Sequence, residues 1–119
     1  MTIPVDIWLR GRDDATTSAI SGVSRAPSAW TDDDVRAVLE GMLRAMDRLK
    51  RPGEEDRAIS LVGISWIVNP YEEGGVVIAI EITLGAAVAG PFDIPQATLE
   101  AMIARVLSRG TPPEPARIH

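Results

Sequence analysis

The sequence predicts an α+β fold, with one antiparallel sheet of three to four strands and two helices on one face, in the order β(β)αββα. Two segments that alternate apolar and polar residues flank a loop rich in proline and glycine, which is typical of a hairpin. Two further segments carry apolar residues at helical spacing. The chain has 119 residues, of which 45% are hydrophobic, and this is enough for a single core.

The first predicted element is a strand over Ile3–Arg10. Its apolar residues alternate with Pro4, Asp6, Trp8 and Arg10, so one side of the strand is expected to face a core and the other to face outward. Because proline cannot donate a hydrogen bond to a strand ladder, Pro4 favours an edge strand or a strand end.

The polar segment Gly11–Ala29 has two interpretations. Thr17–Arg25 can form a weak second strand, or the whole segment can be a mobile loop. An unstructured loop of this length is unusual within a compact domain, but the residues are small and polar, so both interpretations stay open.

A helix is predicted over Trp30–Arg51. Thr31 and Asp34 have the spacing of a capping box, and the acidic first turn suits the helix dipole without any metal ion. Apolar residues then recur at helical spacing from Val35 onwards, and a Pro-Gly pair after Arg51 ends the helix.

The central hairpin is predicted at Ser60–Val68 and Val76–Leu84, joined by the loop Asn69–Gly75. Its register follows from packing, because a slip by one residue would divide the large apolar side chains between the two faces. The predicted register pairs Val62 with Ile82, Ile64 with Ile80, Trp66 with Ile78 and Val68 with Val76, and on the opposite face it sets Gly63 against Glu81 and Ser65 against Ala79.

The last part of the chain predicts a second helix. Gly85–Phe92 is small and contains a proline, which is consistent with a strand end followed by a turn. Pro95 suits the first turn of a helix, an apolar stripe follows, and Gly110 is the expected C-cap. We therefore expect one domain over residues 1–110 and a disordered, proline-rich tail over 111–119.

Composition excludes several chemistries. The chain has no cysteine, and its one histidine is His119, so thiolate nucleophiles, histidine-based acid–base catalysis and Cys or His metal sites are not expected. The net charge of −5 and the scattered arginines argue against a nucleic-acid partner. No segment has the pattern of a leader or a membrane span, so we expect a soluble cytoplasmic protein without a cofactor.

The outer face of the predicted sheet is the candidate functional surface. Apolar residues surround small ones there, and exposed apolar patches usually mark contact sites. We therefore expect a non-enzymatic protein-interaction or assembly module, with a protein partner or itself, that is homo-oligomeric through this face or an edge strand. The candidate residues are Asp6, Trp8, Arg10, Leu61, Gly63, Ser65, Ile67, Val77, Glu81 and Thr83.

Two alternatives remain for this face. It can be a plain solvent-exposed surface, or it can belong to a small-molecule-binding domain or a carboxylate-based enzyme that uses Asp6 and Glu81. A carboxylate pair can perform acid–base catalysis without histidine, provided that the two carboxyl groups lie within about 10 Å. Whether Asp6 and Glu81 are close depends on the order of the strands in the sheet, which cannot be read from the sequence. Enzyme activity therefore remains an open alternative, and the non-enzymatic hypothesis is preferred.

Overall fold

The computed structural model describes residues 2–21, 23–53 and 59–110, and these form one antiparallel sheet with two helices. The predicted tail at 111–119 lies outside the described residues. In chain order the elements are β1 (Ile3–Leu9), β2 (Thr16–Ile20), a short 3₁₀ turn (Pro27–Ala29), α1 (Asp32–Lys50), β3 (Ser65–Pro70), β4 (Val76–Ile82), β5 (Gly85–Phe92) and α2 (Gln96–Gly110).

The sheet has five strands in the order β2-β1-β5-β4-β3, one more than the largest number predicted. The α+β class, the antiparallel pairing and the two helices are confirmed. Of the two interpretations of Gly11–Ala29, the strand is the correct one, although β2 is shorter than the predicted Thr17–Arg25. Thr16–Ile20 pairs with β1 and forms one edge of the sheet.

The prediction of a strand end and turn at Gly85–Phe92 was wrong, because this segment is the central strand. Alanine and glycine have weak strand propensity, but β5 has a hydrogen-bonded neighbour on each side. Its alternation is visible in burial, since Ala87 and Ala89 are buried while Ala86 and Val88 are only half-buried. Tertiary pairing therefore outweighs the weak local preference of the segment.

The predicted hairpin exists, but its register was wrong by two residues. Trp66 pairs with Ile80 and Val68 with Ile78. The ladder continues to Pro70 because the connecting loop is tight, with the backbone N–H of Tyr71 donating to the carbonyl of Gly75. A register shift by an even number of residues keeps every paired side chain on its predicted face, so the composition of the two faces is unchanged.

Strand β3 begins at Ser65 rather than Ser60 because a turn precedes it. Gly63 adopts a φ of +80°, a conformation that favours glycine and that breaks the extended chain. The alternation predicted before this point therefore fails: Val62 is exposed and Leu61 is buried, the reverse of the expected faces.

The two helices cover one face of the sheet, called here the inner face. The alternate residues of β1 that point to this face are all buried, and so are most residues of the apolar stripes of both helices. Each large apolar side chain contributes about 1.5–3 kcal/mol to folding before entropy is counted. The central helix residues of this core are Val35, Val38, Leu39, Met42, Met46, Leu99, Ile103 and Val106.

Polar contacts connect helix α2 to helix α1 and to the sheet. Arg105 of α2 donates two hydrogen bonds to the carboxylate of Asp32 at the start of α1, at 2.9 and 3.0 Å. The side-chain amide of Gln96, at the start of α2, donates to the carbonyl of Val68 at 2.8 Å. These contacts join α2 to α1 at one end and to β3 at the other.

The predicted capping box of α1 is present. The backbone N–H of Thr31 donates to the Asp34 carboxylate at 2.9 Å, and the Thr31 hydroxyl accepts from the backbone N–H of Asp34 at 3.3 Å. Arg25 also donates to both carboxylate oxygens of Asp34, at 3.0 and 3.2 Å. The bond from the Thr31 backbone, with help from Arg25, lowers the pKa of Asp34.

We expect Asp34→Asn to lower the free energy of unfolding at pH 7 by about 1 kcal/mol, the usual contribution of a helix cap. Because folding lowers the pKa of Asp34, its carboxylate stabilises the fold above the unfolded pKa of 3.8. That stabilisation is lost as the pH falls through the folded pKa. Denaturant unfolding of both proteins at several pH values should show a difference in stability that shrinks below about pH 4; a constant difference would contradict this account.

Candidate functional site

The candidate functional site is the outer sheet face, defined as the side of the sheet away from the helices. The strand registers bring its residues into rows across the sheet. One row contains Trp8 of β1, Ala86 of β5, Glu81 of β4 and Ser65 of β3. The next row contains Thr17, Asp6, Val88, Ala79 and Ile67.

A shallow recess lies on this face on the β3 side of β5. Its volume is about 290 Å³, and two of its lining residues, Ala79 and Ala86, have only methyl side chains. Ile67 and Glu81 stand beside these alanines. Ile67 is 50% exposed, and Trp8, which stands across Ala86 from the recess, is 41% exposed. Large exposed apolar side chains therefore lie next to a recess that has room for one such side chain.

Eight of the ten candidate residues lie on β1, β3 and β4 or directly after them. Asp6, Trp8, Ser65, Ile67 and Glu81 are exposed within the two rows. The remaining three, at the ends of the strands, are Arg10, Val77 and Thr83.

Leu61 and Gly63 do not belong to the outer sheet face, which corrects their prediction. Leu61 is only 5% exposed and is part of the core. Gly63 lies in the turn before β3, so it is not opposite Glu81; Ser65 takes that place. Both errors come from the turn, which no alternation pattern could reveal.

Asp6 and Glu81 lie on the same sheet face but are not direct neighbours. Strand β5 lies between their strands and the two residues are in different rows, which corresponds to about 12 Å between their Cα atoms. The carboxylate of Asp6 also accepts a hydrogen bond at 2.7 Å from the hydroxyl of Thr17, on the side away from Glu81.

Arg10 is held at the end of the β4–β5 hairpin. Its Nε donates to the carbonyl of Thr83 at 2.9 Å, and its backbone N–H donates to the carbonyl of Leu84. The guanidinium therefore stays at the rim of the outer sheet face, one row beyond Trp8.

Sequence reasoning missed the middle of this face, because it missed β5. Val88 and Ala86 point to the outer side between β1 and β4. The signal that could have found them is the short connection after Ile82, since two residues between strand segments are typical of a hairpin turn.

The acidic residues of the first helical turn have structural roles. Asp32 binds Arg105 and Asp34 completes the capping box. Among residues 2–21, 23–53 and 59–110, no group of three or more His, Asp or Glu side chains has the arrangement of a metal site. No helix within those same residues has the length and apolar character needed to cross a bilayer.

Comparison with known proteins gives one partial similarity. Over 73 residues, 61% of this chain, the sequence is 33% identical to glucose-6-phosphate isomerases from Trichormus variabilis and from a Nostoc species. The match covers 13% of the isomerase length. No protein-family model and no solved structure matches the chain. A match over so small a part of the isomerase assigns neither a family nor an activity.

Proposed function

We propose that this protein is a non-enzymatic protein-interaction module that forms a homodimer through its outer sheet face. The observation that carries the proposal is an exposed tryptophan beside a methyl-lined recess, on a sheet face that neither helix covers. Aromatic side chains that fill pockets provide much of the binding free energy at protein interfaces.

The positions of Trp8 and the recess suit a two-fold dimer. Trp8 lies on β1 and the recess lies over β4, and these two strands flank β5. A two-fold axis running along β5 therefore places β1 of each copy over β4 of the other, so that each Trp8 meets the recess of its partner. Such an interface is isologous, the commonest type among homodimers.

Charge and area also support the proposal. In the same arrangement, Arg10 of one copy comes near Glu81 of the other, because both lie within one row of the Trp8 contact. Five strands at about 4.8 Å spacing and about 20 Å in length give a face of roughly 500 Å² per copy. Two such faces bury about 1,000 Å², the lower limit for a specific interface.

We expect the Ile67→Arg variant to be monomeric. Ile67 borders the recess that Trp8 would fill, and the longer arginine side chain would occupy that space and bring a charge into an apolar contact. Light scattering at tens of micromolar should give the wild type twice the 12.8 kDa chain mass and the variant the chain mass. The matched control is Val62→Arg, since Val62 is 52% exposed but lies off the outer sheet face, and it should stay dimeric.

Two results would count against the proposal. A wild-type protein that is monomeric up to hundreds of micromolar has no such interface. A dimer that survives Ile67→Arg associates through another surface, such as an edge strand.

A further inference from the structure

A second concave site lies at the opposite edge of the sheet, between β2 and α1. It is a groove of about 430 Å³. One wall is the strand segment 16–21, and the other is two turns of α1 with Gly41, Arg44, Ala45, Arg48 and Leu49. Gly41 allows the helix to come close, because a Cβ there would be 3.2 Å from the side chain of Ile20. The groove and the recess lie on opposite sides of β5.

The strand wall of the groove carries unpaired backbone groups. Pro4 has no N–H and lies opposite Ala19, so this position matches a non-hydrogen-bonded pair of the β1–β2 ladder. The alternation of an antiparallel ladder then directs the N–H and C=O groups of Thr17 and Ala19 away from β1. Strand β2 pairs with no other described strand, so its outer edge is open to a further strand.

The helix wall carries two arginines. Arg44 and Arg48 are one turn apart on α1, and none of the described residues that line the groove carries a carboxylate, although the net charge of the chain is −5. Each of these arginines already interacts with another group of the chain. A guanidinium has five N–H donors, so it can bind a carboxylate in addition to an existing partner.

The dimensions of the groove match a short extended peptide. The lining residues of α1 span about 12 Å and those of β2 about 17 Å. At about 3.3 Å per residue, this is the length of four or five residues in a strand. Alternate side chains of such a strand would point at the small residues Gly41 and Ala45.

We infer that the groove binds an extended acidic segment of a partner protein, which adds to the sheet beside β2 as a sixth strand. The backbone edge supplies the hydrogen bonds, and the two arginines select glutamate or aspartate in the segment. A second copy of this chain fits less well, because pairing two β2 edges would bring four arginines together across the two-fold axis.

The test uses a blocked peptide of about seven residues that alternates glutamate and valine, and a second peptide with lysine in place of glutamate. We expect the acidic peptide to bind with at least millimolar affinity in a nuclear magnetic resonance titration, with shifts centred on Thr17, Ala19 and Arg48. The lysine peptide should not bind. Arg48→Ala should weaken binding by about tenfold, the usual effect of losing a charged hydrogen bond.

Two measurements test the strand pairing itself. Ala19→Pro removes an edge N–H and should weaken binding at least about tenfold, whereas the control Ala19→Ser keeps the N–H and should bind normally. If Ala19→Pro does not fold, N-methylation of the peptide at the positions that face β2 gives the same test with wild-type protein. Lack of binding by the acidic peptide, equal binding of the lysine peptide, or binding that survives N-methylation would each overturn the inference.

Discussion

Gly85→Ala is expected to destabilise the protein by about 2–6 kcal/mol, enough to unfold a marginal domain. Gly85 begins β5 with a φ of +155°, and a Cβ at this position would lie 2.1 Å from the carbonyl oxygen of Trp8 and 2.9 Å from the Cα of Leu9. Both are backbone atoms of the neighbouring strand, so no side chain can rotate away. The substitution would push β1 and β5, two neighbouring strands in the interior of the sheet, apart at one end.

Denaturant unfolding of the purified variant measures this effect, with Gly11→Ala as its matched control. Gly11 also has a positive φ, +88°, but a Cβ there would meet nothing within 4 Å. Gly11→Ala should therefore cost only the backbone strain, about 1–2 kcal/mol. Equal losses at the two glycines would show that the close approach of β1 to β5 is not what requires glycine.

Leu99→Ala is expected to lower the free energy of unfolding by about 2–5 kcal/mol. Leu99 lies in the first turns of α2 and is fully buried in the core beneath the sheet. Truncation removes its apolar contacts and leaves a cavity, which close-packed neighbours fill only in part. Thermal or denaturant unfolding measures the loss.

The control for this substitution is Val62→Ala, which also shortens an apolar side chain. Val62 is 52% exposed, so little burial is lost and the change should stay within about 0.5 kcal/mol. A Leu99→Ala protein as stable as the Val62→Ala protein would mean that α2 does not pack on the sheet as described.

The parts of the fold that were predictable have strong local signals. The Thr31–Asp34 capping box and a long apolar stripe predict helix α1, and the structure confirms both. The two faces of the hairpin follow from alternation, and an even register error cannot exchange them. The local sequence was sufficient for these elements because a capping box and the spacing of apolar residues are both visible over a few neighbouring positions.

The parts that were not predictable depend on distant residues. Strand β5 is made largely of alanine and glycine, and only its position between β1 and β4 makes it a strand. The length of β3 depends on a turn at Gly63, and its register depends on the loop that follows Pro70. The outer sheet face was therefore anticipated at Trp8 and Ile67 but not at its centre, where Ala86 and Val88 lie.

The proposed dimer is tested most directly by nuclear Overhauser effects between copies, measured in a mixed sample of labelled and unlabelled chains. The filtered experiment reports only contacts between molecules. The pairing of Trp8 with Ala86 within one sheet therefore does not contribute to the signal. Contacts from the Trp8 indole of one copy to the methyl groups of Ala79, Ala86 and Ile67 of the other are the predicted result. A dimer without these contacts, or one whose contacts between copies involve the helices instead, would contradict the assignment of the outer sheet face as the self-association surface.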